Sequence, residues 1–271
     1  MIRDITIGQY LPVNSILHKL DPRFKLAAMF ITIIMIFCTF NYASLLAVTI
    51  FAFSVVKLSN IPLKTYFKGL KVILIVIALT TILNLFYGSG SALFEFGIIK
   101  ITKNGLNSSI FIAFRLIDLS LISSAVMFST LPTDLTDALE RIMKPLKLFK
   151  VDTAELAMMM TICLRFIPTL LEETDKITDA QKSRGADIES GNLIKYIKSL
   201  IPILVPLFVS SLKRAYDLAI AMECRCYQGG KNRTKMKVLK MQKRDFISIG
   251  IFSFLLMIVI CLDIFLKKTP M

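Results

Sequence analysis

Residues 26–56 read LAAMFITIIMIFCTFNYASLLAVTIFAFSVV, and the way this stretch divides decides the fold. It carries no charge, and it exceeds the roughly 20 apolar residues that one helix needs to cross a ~30 Å hydrocarbon core. Asn41-Tyr42-Ala43-Ser44 is the only polar break. The stretch therefore predicts two short spans, about 26–40 and 44–57, joined by a tight turn. The whole chain agrees: it is 55% hydrophobic and 19% charged, with a mean hydropathy of +0.68. A soluble domain has about 45–50% apolar residues and about a quarter charged.

Working outward, Lys57, Lys64, Lys68 and Lys71 follow, with Pro62 and Gly69 among them, and read as a basic linker at the membrane interface. A third span is expected over about 71–87 and a fourth over about 106–129. Between them, Gly88-Ser89-Gly90-Ser91 opens a polar excursion in which 94–102 alternates weakly, as a short hairpin does. The fourth span ends at Leu131-Pro132-Thr133-Asp134, where Thr133 or Asp134 is placed to cap the next helix. A last span is expected over about 246–266.

Residues 131–244 differ in character. They hold 20 Lys/Arg and 13 Asp/Glu, yet also two apolar pieces, Leu156–Leu171 around Pro168 and Tyr196–Leu212 around Pro202 and Pro206. These predict long, kinked amphipathic helices lying in or under the membrane surface. The expected fold is an all-α integral membrane protein of about five transmembrane helices, with a cytoplasmic domain of long kinked amphipathic helices between spans 4 and 5. Residues 1–130 form the N-terminal tail and first four spans, 131–244 the helical domain, and 245–271 the final span and tail.

Net charge is +14. The basic residues bracket apolar spans and do not interleave with aromatics, there is no tryptophan, and no nucleic-acid motif occurs. Nucleic acid is therefore not the expected partner. The basic loops instead place the N-terminus and the 131–244 domain in the cytoplasm of a multi-pass plasma-membrane protein. The first 25 residues are mixed polar and predict no cleavable signal. His18 is the only histidine, and no Gly-x-Ser-x-Gly, His-Glu-x-x-His or Walker phosphate loop occurs. No catalytic residue, cofactor or metal site is predicted in this chain. Cys224 and Cys226 have no further Cys/His cluster nearby to complete a zinc site.

Two features remain as candidate sites. Arg184 ends Ala180-Gln181-Lys182-Ser183-Arg184-Gly185, and Arg225 lies within Ala221-Met222-Glu223-Cys224-Arg225-Cys226. Each follows an alanine by four residues, stands between small neighbours and ends an amphipathic segment. A planar, always-charged side chain so presented suits a groove on another protein, where it makes forked hydrogen bonds. Two such ends predict two similar soluble partners. The second feature is Arg115 with Asp118, three residues apart inside the fourth span and placed to neutralise each other. That pair is the sole support for an alternative reading, a stand-alone secondary carrier. Met158, Met159, Met160 and Met222 also lie on the amphipathic helices, where methionine either packs a core or repacks against a changing partner.

With these residues in view the chain resembles the energy-coupling factor transporter transmembrane component, the EcfT family, related to the CbiQ-type protein of cobalt uptake. The resemblance runs over nearly the whole length. Gly8-Gln9-Tyr10 and the run from Ser15 through His18, Asp21 and Pro22 to Arg23 resemble the family's N-terminal signature. Thr133–Glu140 and Arg165–Leu170 resemble its cytoplasmic helices, and the arginine sites its paired Ala-Arg-Gly motifs. Tyr227-Gln228-Gly229-Gly230 follows the second. Ser183 and Cys224 stand where the family has alanine, and Cys226 where it has glycine. The resemblance implies a non-catalytic scaffold joining two ABC-type ATPases to a membrane substrate-binding S-component for ATP-driven vitamin or micronutrient uptake. It implies that ATP and Mg are bound by the partner subunits. Ser183, Arg184 and Gly185 would dock one ATPase, and Cys224, Arg225 and Cys226 the other. The unequal flanks suit two non-identical ATPases.

Overall fold

The computed structural model describes residues 10–87, 92–96, 99–149, 152–186, 193–229 and 241–266. Gly8, Gln9, Gly88–Ser91 and Gly230 lie outside them. The chain divides into two compact units, one of residues 8–142 with 237–271, the other of 1–7 with 143–236. The helix after span 4 thus belongs with the spans, and the division falls inside the 131–244 segment.

The first unit contains α1 (Pro22–Cys38), α2 (Tyr42–Leu58), α3 (Leu63–Tyr87), α4 (Lys103–Ser129), α5 (Pro132–Ile142) and α8 (Lys243–Leu266). Asp21 starts α1 by accepting a hydrogen bond from the Arg23 amide at 2.9 Å, with Pro22 in the first helical position. The polar break at Asn41 separates α1 from α2. Its turn is held from outside the two helices: the Asp263 carboxylate accepts from Ser44 Oγ at 2.6 Å and Asn41 Nδ2 at 3.3 Å. Between α3 and α4, β1 (Ala92–Phe96) and β2 (Ile99–Thr102) form a small antiparallel hairpin pairing Phe94 with Ile101 and Phe96 with Ile99. Thr102 caps α4 by accepting from the Gly105 amide. A Cβ at Gly105 would stand 3.0 Å from the Leu85 carbonyl oxygen, so glycine lets α4 close on the end of α3.

Two apolar clusters hold this unit together. Met35, Ile36, Val48, Ala52, Ile122 and Val259 join α1, α2, α4 and α8. Val56, Ile61, Tyr66, Leu70, Leu121, Ala125 and Phe128 join the α2–α3 turn to α4. Ala52 and Ala125 are fully buried, as expected where small residues let helices approach closely in lipid. Outward-facing side chains such as Phe30, Ile34, Phe37, Ile75, Leu79 and Phe254 are large, apolar and exposed. That inversion of the soluble pattern is a lipid-facing surface.

The N-terminal motif is a strap under this bundle. The Leu11 amide donates to the Phe128 carbonyl at 3.1 Å. His18 hydrogen-bonds through Nε2 to the Leu11 carbonyl at 2.9 Å and through Nδ1 to Ser15 Oγ at 2.7 Å. Burial lowers the His18 pKa.

One expectation is corrected, and helix lengths are refined. Thr133 and Asp134 do not cap α5: the helix starts at Pro132, and the Leu135 amide bonds the Leu131 carbonyl at 2.9 Å. Proline fixes its own φ for a first helical turn, moving the start ahead of both residues. The apolar piece around Leu156–Leu171, expected in or under the membrane surface, is part of a longer helix. It belongs to a single 31-residue helix, α6 (Thr153–Ser183), that runs through Pro168 and contains a window apolar enough to span. Conversely α1 and α2 have 17 residues each, about 26 Å at 1.5 Å per residue, slightly less than the hydrocarbon core. By length and composition α4, α6 and α8 qualify as spans, and α3 makes a fourth if its two parts, bent by 60°, count together.

Candidate functional site

The second unit is built on α6 and α7 (Leu193–Cys224). Three contacts fix their relation. Gln181 Nε2 donates to the Pro202 carbonyl at 3.2 Å, Arg214 pairs with Glu173 at 2.7 Å, and Gly229 comes against Glu155 in the first turn of α6. Advancing along α6 means retreating along α7, so the helices run antiparallel. Ser210 also donates to Glu173, which therefore serves two residues of α7.

The central ion pair has a property the sequence contains in plain view. Glu173 precedes Arg184 by 11 residues, and Arg214 precedes Arg225 by 11. The offset of 41 between the two arginines is the offset between the two bridging residues. Each arginine thus lies about 16 Å along its own helix from the bridge, at 1.5 Å per residue, and at opposite ends of the pair. The sequence repeat becomes an approximate two-fold arrangement, with Glu173–Arg214 near its axis.

The two ends also close alike. After α6, the Gly185 amide bonds the Lys182 carbonyl at 2.9 Å and the Ala186 amide bonds the Gln181 carbonyl at 3.0 Å. After α7, the Cys226 amide bonds the Glu223 carbonyl at 2.9 Å and the Tyr227 amide the Met222 carbonyl at 3.1 Å. Both are Schellman closures, which need a left-handed residue just past the end. Gly185 has φ +84° and Cys226 φ +56°. The cysteine thus adopts the glycine-like backbone in spite of its β-carbon, and the second motif keeps the geometry of the first. Ser183, Arg184, Gly185, Cys224, Arg225 and Cys226 are all exposed. The closure turns the backbone away immediately after each arginine, so that the guanidinium stands at the tip of a long rigid rod.

A left-handed non-glycine residue costs about 1–2 kcal/mol. Cys226→Gly is accordingly expected to tighten the α7 closure by about 1 kcal/mol, or about fivefold in its local opening equilibrium. Amide exchange at Tyr227 slower than in the parent protein would show it, and Gly185→Cys should speed exchange at Ala186.

Arg115 and Asp118 do not form the expected pair. Arg115 donates to the Thr39 carbonyl at 2.6 Å and lies 4.8 Å from the Phe111 ring centroid. Asp118 is fully buried, accepts from Thr49 Oγ1 at 2.8 Å, and its Oδ1 has no hydrogen-bond partner. Helical spacing puts both on α4, but their tertiary partners in the α1–α2 turn and on α2 draw them apart. Arg115 ties down the α1–α2 turn, and Asp118 meets the middle of α2. Glu173, Ser210 and Arg214 are the residues sequence reading missed, although adding 41 to Glu173 would have found Arg214.

A family model described as CbiQ, cobalt transport protein, matches residues 13–236, a range that includes both arginine ends. The chain is also 51% identical over 251 residues to the energy-coupling factor transporter transmembrane protein EcfT of Ruminiclostridium cellulolyticum, covering 93% of this chain and 94% of the relative. The chain belongs to the CbiQ-type EcfT family. It is similarly close to the EcfT proteins of Clostridium kluyveri (46% identical over 266 residues, 97% of each chain) and Bacillus subtilis (42% over 246 residues, 90% of this chain and 93% of the relative). It is a helical membrane protein and a transmembrane component of a transporter. The EcfT likeness therefore covers the spans together with the α6–α7 unit.

Proposed function

We propose that this chain is the non-catalytic coupling subunit of an ATP-driven micronutrient importer in the plasma membrane, with the α6–α7 unit lying along its cytoplasmic surface. Two ABC-type ATPases, which bind ATP and Mg, dock on the two arginine ends. A membrane S-component binds the vitamin or other micronutrient. The observation that carries this reading is the matched pair of ends: two arginines, two Schellman closures, and equal distances from one central ion pair. Two similar sockets on two similar proteins are the simplest complement to that arrangement.

The surface of α7 supports the remaining link. Ile201, Leu204, Val205, Phe208, Leu212 and Tyr216 are all more than half exposed and recur at three- and four-residue intervals. This apolar stripe on a rod joined to both docking ends is suited to carry ATPase opening and closing to a membrane partner. Met159 and Met160 on α6 are exposed too, and methionine accommodates a partner that changes position.

Affinity purification of the tagged full chain from native membranes tests the reading. The expected result is recovery of two ABC-type ATPases and a membrane subunit that has no ATPase of its own. Recovery without any ATPase, together with uptake that persists in cells lacking the ATPase genes, would instead support a stand-alone carrier.

A further inference from the structure

The coupling reading leaves the lysines at the end of α2 and the start of α3 unused. The chain has no acidic residue from 22 to 94, yet Lys57, Lys64, Lys68 and Lys71 fall within 15 residues of it. All four are exposed, and none is in an ion pair among the described residues. No carboxylate of the described residues offsets their charge.

Their positions are fixed. Asn60 takes a left-handed turn at φ +53°, Ser59 Oγ meets Tyr66 Oη at 3.0 Å, and the Ile61 amide donates to Ser59 Oγ. Tyr66 is buried edge-on against Phe128, with ring centroids 5.4 Å apart. Residues Leu63–Lys71 are bent by 60° from Ile73–Leu85. On this short segment Lys64, Lys68 and Lys71 share one helical face, Tyr66 and Leu70 are buried on another, and Leu63 and Phe67 are exposed between them. A basic face beside an exposed apolar one is the pattern of a helix lying in a membrane interface.

Beside it, a groove of about 300 Å³ runs along α2, lined by Leu46, Thr49, Ile50, Phe53, Ser54 and Lys57. From Leu46 to Lys57 it covers about 16 Å at 1.5 Å per residue. Half of a ~30 Å hydrocarbon core is about 15 Å. The groove follows one face of α2, is about one leaflet long and largely apolar, and ends in an ammonium group.

We propose that α2 and the basic segment of α3 form a binding site for an anionic phospholipid. One acyl chain lies in the α2 groove, the headgroup phosphate meets Lys57, and Lys64, Lys68 and Lys71 attract further anionic headgroups around it. The site makes no use of the ATPase partners, so it stands or falls separately from the coupling role.

The full chain reconstituted into phosphatidylcholine bilayers with spin-labelled phosphatidylglycerol or phosphatidylcholine provides the test. Electron spin resonance is expected to show the immobilised fraction favouring phosphatidylglycerol several-fold. Replacing all four lysines by glutamine should reduce that preference to near unity, and replacing them by arginine should keep it. Ile50→Trp, which fills the groove, should lower the immobilised fraction with the charges intact. Should the fourfold variant fail to fold, Lys57→Gln against Lys57→Arg carries the same comparison. Unchanged selectivity in the glutamine variants would overturn the proposal. So would loss of the preference on adding millimolar inorganic phosphate at constant ionic strength, which would mark a general phosphate site instead of a lipid site.

Discussion

Arg184→Glu combined with Arg225→Glu is expected to abolish co-purification of the ATPases and ATP-driven uptake, while the protein still inserts and folds. Both closures are made by backbone amides and carbonyls, so neither depends on the arginine side chain. Both side chains are exposed, and the substitutions remove no internal packing. What changes is the tip of each rod. Truncating one partner of a desolvated, hydrogen-bonded charge at an interface costs about 2–5 kcal/mol, and at about 1.4 kcal/mol per tenfold that is roughly 30-fold to several thousandfold in affinity. Reversing the charge adds repulsion against whatever acidic group the guanidinium meets. Each single variant should release the ATPase at its own end only, leaving a complex with one ATPase. Arginine to lysine keeps the charge but loses the planar fork, so an intermediate loss would show that geometry matters as well as charge. Full retention of both ATPases by the double glutamate variant would exclude these ends as the docking points.

The division of the first apolar stretch, the basic linker and the arginine repeat were legible because each depends on local chemistry. A polar break in an apolar run, a cluster of lysines and a small-Arg-small triplet need no knowledge of distant residues. The Arg115–Asp118 pairing was misread because spacing along one helix says which side chains can meet, not which will. Thr39 and Thr49 lie 76 and 69 residues away from them in sequence and supply better-placed oxygens. Cys226 shows the reverse: its β-carbon disfavours the left-handed backbone locally, yet the two closing hydrogen bonds impose it. The start of α5 was missed by a residue or two, since proline and a polar cap compete to begin the same helix. The equal spacing around Glu173 and Arg214 was present in the sequence. It acquires meaning only when the antiparallel packing brings the two residues together.

Asp245→Ala is expected to be the most damaging single substitution in the spanning unit. Asp245 is 1% exposed. One carboxylate oxygen accepts from the Asp21 amide at 2.8 Å, and the other from the Gln242 amide at 2.7 Å. It therefore closes the start of α8 and ties it to the residue that caps α1, 224 positions earlier. Alanine would leave the buried Asp21 amide unsatisfied at about 1–3 kcal/mol and lose the part-buried bond to the Gln242 amide at about 0.5–1.5 kcal/mol, for a total of about 2–4 kcal/mol. A shift of about 2–4 °C per kcal/mol translates this into a midpoint lower by roughly 5–15 °C. The chain has no tryptophan, so the melt is better followed by helical circular dichroism than by intrinsic fluorescence. Asp245→Asn retains one acceptor and should lose about half as much. Asp21→Ala should be milder again, because it deletes the α1 cap at Arg23 but leaves the Asp21 amide on Asp245 in place. If alanine at 245 were no worse than alanine at 21, the link between the ends of α1 and α8 would contribute little. The N-terminal Asp-Pro motif would then act only as a local helix start.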